Sequence, residues 1–145
     1  MEKRAKSAKA AEGFSAEERS AMRERAREAK SSAGAAEAEA EVVAKIAEMA
    51  GPDRAMAEAL HALVKAEFPS FTAKLWYGMP AYSKDGAMLC FFQPGQKFKT
   101  RYSTLGFSDK ARLDDGTMWP TSYALAEWNG STAAQVVALL RLAAG

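Results

Sequence analysis

A chain of 145 residues with 48% hydrophobic content has room and material for one ordinary domain plus a tail, which excludes disorder throughout. The formal net charge of +2 conceals an asymmetry: residues 1–34 carry nine Lys/Arg against six Asp/Glu, residues 35–145 eleven against twelve. Basicity therefore belongs to the N-terminal end, and a strongly nucleic-acid-seeking core is not expected.

No apolar run approaches the ~18 residues of a membrane span, and MEKRAKSAKAAEG has charges with no hydrophobic segment behind them. The expectation is a cytoplasmic protein without membrane association. The lone Cys90 and lone His61 exclude an internal disulfide and a zinc site of the usual Cys/His kind, so any metal would need carboxylates.

In chain order, residues 1–13 are Lys, Ala and Glu without periodicity and read as a mobile lead-in to Phe14. Ser15 with Glu18 three residues later forms a capping box, predicting a helix to about Lys30. Arg19, Arg23, Arg27 and Lys30 share one of its faces and Glu17, Glu24 and Glu28 another. Ser31-Ser32-Ala33-Gly34 is expected to break this helix as a hinge, leaving residues 1–34 as a charged, partly helical arm and 35–145 as the domain. A second helix, roughly Ala36 to Met49, points Val42, Val43, Ile46 and Met49 inward. After Gly51-Pro52-Asp53, the stripe Met56, Leu60, Leu63, Val64 and Phe68 predicts a third helix that stops at Pro69.

From residue 72 the period changes to two. Read as one strand, KLWYGMPAY sends Leu75, Tyr77, Met79 and Ala81 to the core and Trp76, Gly78, Pro80 and Tyr82 to the other face. Its Gly and Pro are tolerable if the strand lies at an edge or carries a bulge. Lys84-Asp85-Gly86 is a hairpin turn, and Ala87 to Phe92 an apolar, central strand. Phe98, Thr100, Tyr102 and Thr104 then alternate with Lys97, Lys99, Arg101 and Ser103, predicting a strand with a cationic face. A polar connection, Ser108 to Gly116, leads to a strand over Met118 to Leu125. The pair Thr132/Gln135 caps a last helix with Val136, Val137, Leu139, Leu140 and Leu142 on its apolar side. This order predicts an α+β two-layer sandwich, with helices on one face of an antiparallel sheet of about four to five strands.

WYGMPAY at 76–82, the apolar strand at 87–92 and KFKTRYSTLGFSD at 97–109 together resemble the YdhG-like domain, over about residues 37 to 143. The resemblance implies a small α+β domain with no enzyme activity attached. Some relatives are labelled intracellular iron chaperones of frataxin type. Many relatives carry a histidine and a Gly-Phe-Tyr motif on the third strand, where this chain has Lys99-Thr100-Arg101-Tyr102. A cationic replacement there repels iron and favours an anion.

The leading candidate site is therefore an aromatic and basic sheet face. Trp76 and Tyr82 would stack, Lys97, Lys99 and Arg101 would neutralise charge, and Gly78 would give access to a small anionic ligand or an acidic protein segment. The arm would close over it as a lid. A frataxin-like alternative places iron on the acidic helix face of Glu37, Glu41 and Glu48. A third reading is nucleic-acid binding through the basic arm. No catalytic constellation accompanies these residues: Cys90 reads as core, His61 as a surface or boundary residue, and Asp114-Asp115-Gly116 as a turn.

Overall fold

The computed structural model describes residues 15–145, and the chain divides into two units, Met1–Ala36 and Glu37–Gly145. Phe14 and the lead-in before it lie outside the described residues. In the first unit Ser15 does start a helix, α1 (Ala16–Glu48), its hydroxyl accepting the Glu18 N–H at 3.0 Å. Arg23 and Arg27 are exposed on it. The expected break at Ser31–Gly34 is absent, because α1 runs through it to Glu48. A single glycine costs a helix only about 1 kcal/mol relative to alanine, and the Ala- and Glu-rich stretches on both sides are strong helix formers that offset it.

The second unit adds α2 (Gly51–Glu67), β1 (Thr72–Trp76), β2 (Met79–Lys84), β3 (Ala87–Gln93), α3 (Gly95–Phe98), β4 (Ser103–Phe107), β5 (Ser122–Leu125) and α4 (Gly130–Ala144). The strands pair antiparallel in sequence order, β1-β2-β3-β4-β5. Val42 and Ile46 of α1, Met56, Leu60 and Val64 of α2, and Val136 and Leu140 of α4 form one core with Ala73, Tyr82, Cys90, Phe92, Leu105 and Phe107 of the sheet. The fold is the expected α+β two-layer sandwich. Among the described residues, no helix is long and apolar enough to cross a membrane.

KLWYGMPAY is two strands and a turn, which corrects its reading as one strand. Tyr77 and Gly78 have φ of 50° and 74°, the pair of left-handed residues that makes a two-residue turn follow the natural twist of a hairpin. Across it Trp76 faces Met79, Leu75 faces Pro80 and Ala73 faces Tyr82. Facing residues share a side of the sheet, so the parity reverses at the turn. Leu75, Pro80 and Tyr82 lie on the helix side, while Trp76, Met79 and Ala81 lie on the other. Pro80 fits because of this register. The turn makes Met79 and Ala81 the β2 residues that bond to β1, so the position of the missing Pro80 N–H faces β3, whose ladder with β2 begins only at Ala81–Phe91. Asp85 and Gly86, also at positive φ, form the second such turn, as their D-G pair predicts.

Three other expectations shift. The stretch after Pro94 is not a strand from residue 97: it forms α3 and a loop, and the ladder starts only at Ser103. The fourth expected strand shrinks to Ser122–Leu125, leaving Met118 exposed. The final capping box belongs to Asn129 and Thr132: the Asn129 side chain accepts the Thr132 N–H at 3.0 Å, and the Thr132 hydroxyl accepts the Asn129 N–H. The helix then starts upstream of the expected cap, and its buried stripe is Val136, Leu140 and Ala143, with Leu142 turned to solvent.

On the sheet side away from the core, Phe91 lies over Gly106 of β4. A Cβ at Gly106 would sit 2.6 Å from Phe91 Cε1, inside the ring's van der Waals envelope. Gly106→Ala should lower the unfolding free energy by about 1–3 kcal/mol in urea titration. Adding Phe91→Leu, which removes the ring, should recover part of that loss.

Candidate functional site

Tyr82 does not join the candidate surface. It is 1% exposed and faces the helices. Its hydroxyl lies 3.0 Å from His61 Nδ1, and His61 Nε2 lies 3.1 Å from Glu39 Oε1, while Lys65 Nζ approaches the same carboxylate at 2.9 Å. Burial pushes the Tyr82 phenol well above its ordinary range, so it remains O–H. A carboxylate only accepts, so Nε2 is the nitrogen that carries a proton, and in the neutral tautomer Nδ1 accepts a hydrogen bond from the Tyr82 hydroxyl. The hydrogen bond from Lys65 holds the Glu39 carboxyl below its usual value, against a smaller opposing effect of burial. The network pins the C-terminal part of α1 to α2 and β2. Cys90, directly across the ladder from Tyr82, is fully buried, and burial pushes its thiol up to about 12. It is a core residue, as expected.

The cationic residues sit on the Pro94–Tyr102 segment. Gly95 lets that segment fold back on itself, since a Cβ there would lie 2.9 Å from the Tyr102 carbonyl. Its N–H donates to Ser103 Oγ at 3.0 Å, and the Ser103 hydroxyl donates to Asp53 Oδ1 at 2.9 Å. Asp53 Oδ2 accepts the Gln96 N–H at 2.9 Å. A buried carboxylate from the first turn of α2 thus caps α3 and fixes the start of β4. These bonds hold residues 95–102 in a loop and prevent the strand that their alternation predicts. Lys99 closes α3 in the left-handed region, at φ 55°, and is exposed, as are Lys97 and Arg101. They do not form one face of a strand. Arg101 lies against the ring of Tyr102, 5.3 Å from its centroid, and Lys97 lies 5.7 Å from that of Phe98.

Of the six expected ligand-binding residues, the fold gathers Trp76, Gly78 and Lys97. A Cβ on Gly78 would fall 2.9 Å from Lys97 Nζ, so the bare turn leaves room for the ammonium. Trp76 packs edge-on to Tyr77 at 4.9 Å and against Phe91 at 5.0 Å. Lys97 also lines a cleft of about 450 Å³ with Lys45, Glu48, Met49, Ala50, Asp53, Pro94 and Gln96. Within it Lys45 pairs with Glu48 at 3.2 Å and Asp53 already holds two donors. Among the described residues Lys97 has no carboxylate partner. Lys99 and Arg101 stand apart from the aromatic cluster, and Arg101 lines a second cleft of about 270 Å³.

The acidic set is spread out. At a rise of 1.5 Å per residue, Glu37 and Glu48 lie about 16 Å apart along α1, too far to share one ion. Glu48 is engaged by Lys45. Among the described residues no group of three or more His, Cys, Asp or Glu side chains could hold a metal.

Sequence reasoning missed Asp53, Gln96, Tyr77 and Phe91. The signals were faint: Asp53 reads as an ordinary first-turn acid after Gly51-Pro52, and Phe91 is hidden in an unbroken apolar run. Comparisons with protein-family models, curated proteins and solved structures find no match. The YdhG-like resemblance therefore rests on its sequence motifs alone.

Because Tyr82 is a buried hydrogen-bonding group, Tyr82→Phe should cost about 1–3 kcal/mol in denaturant titration, mainly through the partner left unsatisfied on His61. Glu39 has a folded pKa below its unfolded one. Its stabilisation is complete above the unfolded value and is lost as pH falls through the folded one. A Tm-against-pH curve for Glu39→Gln should accordingly have a shallower acid limb than the parent, with the two curves parallel in the neutral range.

Proposed function

We propose that residues 37–145 form a non-enzymatic binding domain for a small anionic ligand, seated in the cleft lined by Lys45 and Lys97. The observation that carries this reading is the position of Lys97, a cation without a carboxylate partner among the described residues, which belongs both to the cleft and to the hairpin tip. An ammonium with unmet charge beside a concave surface favours a carboxylate or phosphate, and the attraction is stronger where the cleft walls exclude water. The Gln96 side chain, exposed at the same wall, supplies a neutral donor and acceptor. Trp76 and Tyr77 precede Gly78, beside which the Lys97 ammonium lies, and their packed rings offer a flat apolar margin for any planar part of the ligand. This reading keeps Trp76, Gly78 and Lys97 from the expected set and replaces the sheet face by the sheet's end.

A thermal-shift screen of small carboxylates, sugar phosphates and nucleotides at low salt tests it. A ligand at 100 times its dissociation constant stabilises the folded state by about 2.7 kcal/mol. At least one anion should raise Tm, the shift should shrink with added salt, and Lys97→Met should weaken its affinity about tenfold or more. A shift unchanged in Lys97→Met, or no shift with any anion, rejects the reading. A shift with ferrous or ferric iron alone would instead favour carboxylate ligation of the frataxin-like kind.

A further inference from the structure

The two clefts at this end of the domain share a wall. Asp53 and Gln96 line both the 450 Å³ cleft that contains Lys97 and the 270 Å³ cleft that contains Arg101, Thr100 and Tyr102. Neither Lys97 nor Arg101 has a carboxylate partner among the described residues, whereas the neighbouring Lys45 is paired with Glu48. Between them lies one buried negative charge, that of Asp53, 7% exposed and held by the Ser103 hydroxyl and the Gln96 N–H. With Lys45 and Glu48 neutralising each other, the remaining charges that line the two clefts are those of Lys97, Asp53 and Arg101.

We infer that the ligand of this groove is a linear dianion with an acidic group at each end and an uncharged middle, one end held by Lys97 and the other by Arg101 across the Asp53–Gln96 wall. This rests on the reading of the Lys97 cleft given above and extends it to a second anchor. The physical grounds are complementary charge and linkage. Once one acid is bound at Lys97, a tethered second acid meets Arg101 at high effective concentration, and the guanidinium takes a carboxylate through two parallel bonds. Asp53 supplies the selective element. Its fixed negative charge repels any ligand that carries an acid at its centre. Chain length then matters, because a linker too short to span the wall leaves Arg101 unused.

The experiment is a calorimetric titration of the full chain with hexanoate, with the dicarboxylate series from succinate to suberate, and with tricarballylate, which has an acid on its central carbon. Affinity along the series should pass through an optimum at which the dicarboxylate binds about tenfold or more tighter than hexanoate. Tricarballylate should bind more weakly than the optimal dicarboxylate. Arg101→Met should bring that dicarboxylate down to the affinity of hexanoate and leave hexanoate itself unchanged. Lys97→Met should weaken both. If hexanoate binds through Lys97 but no dicarboxylate gains over it, or if Arg101→Met changes nothing, the second anchor is wrong and the Lys97 cleft stands. If neither class binds, both fail. Because Arg101 is exposed, its substitution leaves folding intact, and an unchanged Tm of the free variant verifies this.

Discussion

The register of the sheet depends on a turn of two residues. With Tyr77 and Gly78 both at positive φ, the chain reverses in the shortest way available to a hairpin, and every side chain from Met79 onward changes face relative to an uninterrupted strand. That choice sends Tyr82 to the helices, where His61 and Glu39 meet it, and brings Trp76 beside Phe91 on the opposite side. It also fixes where proline is harmless. A left-handed tyrosine is strained, of order 1 kcal/mol, and the edge-on packing of Trp76 against its ring offsets part of that.

Asp53 does for the end of the domain what the turn does for the sheet. One carboxylate from the start of α2 is hydrogen-bonded to the start of α3 and to the start of β4. Burial of a charge is unfavourable unless donors meet it, and both of its oxygens are met. The segment that carries Lys97, Lys99 and Arg101 is thereby held in a fixed loop rather than left to pair as a strand. Lys97 and Arg101 are displayed in two separate clefts because the segment curls around Asp53.

Much of the architecture was legible in the sequence because it depends on periodicity. The three- and four-residue stripes of α2 and α4, the apolar run of β3, the Asp85-Gly86 turn and the two-layer order all follow from it. What was not legible depends on events outside any window. Tyr-Gly is a weak turn signal beside Asp-Gly, so period-two alternation runs the strand straight through it and puts Tyr82 on the wrong face. The alternation from Lys97 to Thr104 is a fair strand pattern, overruled by a side chain 43 residues before Gln96, whose role nothing near Gly51-Pro52-Asp53 announces. Of the candidate site, only part is gathered by the fold, and not on a sheet face. Trp76, Gly78 and Lys97 do come together, at the sheet's end, while Lys99 and Arg101 follow the loop elsewhere.

Cys90 sits at the centre of this arrangement, on the third of five strands, opposite Tyr82 and 0% exposed. The sequence contains no other thiol. With its proton held to about 12 by burial, it is both unreachable and unreactive while the helices cover the sheet. Its alkylation must wait until the two layers part. The chain therefore carries its own gauge of that event: the rate at which an added thiol reagent consumes Cys90 under native conditions reports the fraction of molecules open at any moment, and at saturating reagent the opening rate itself.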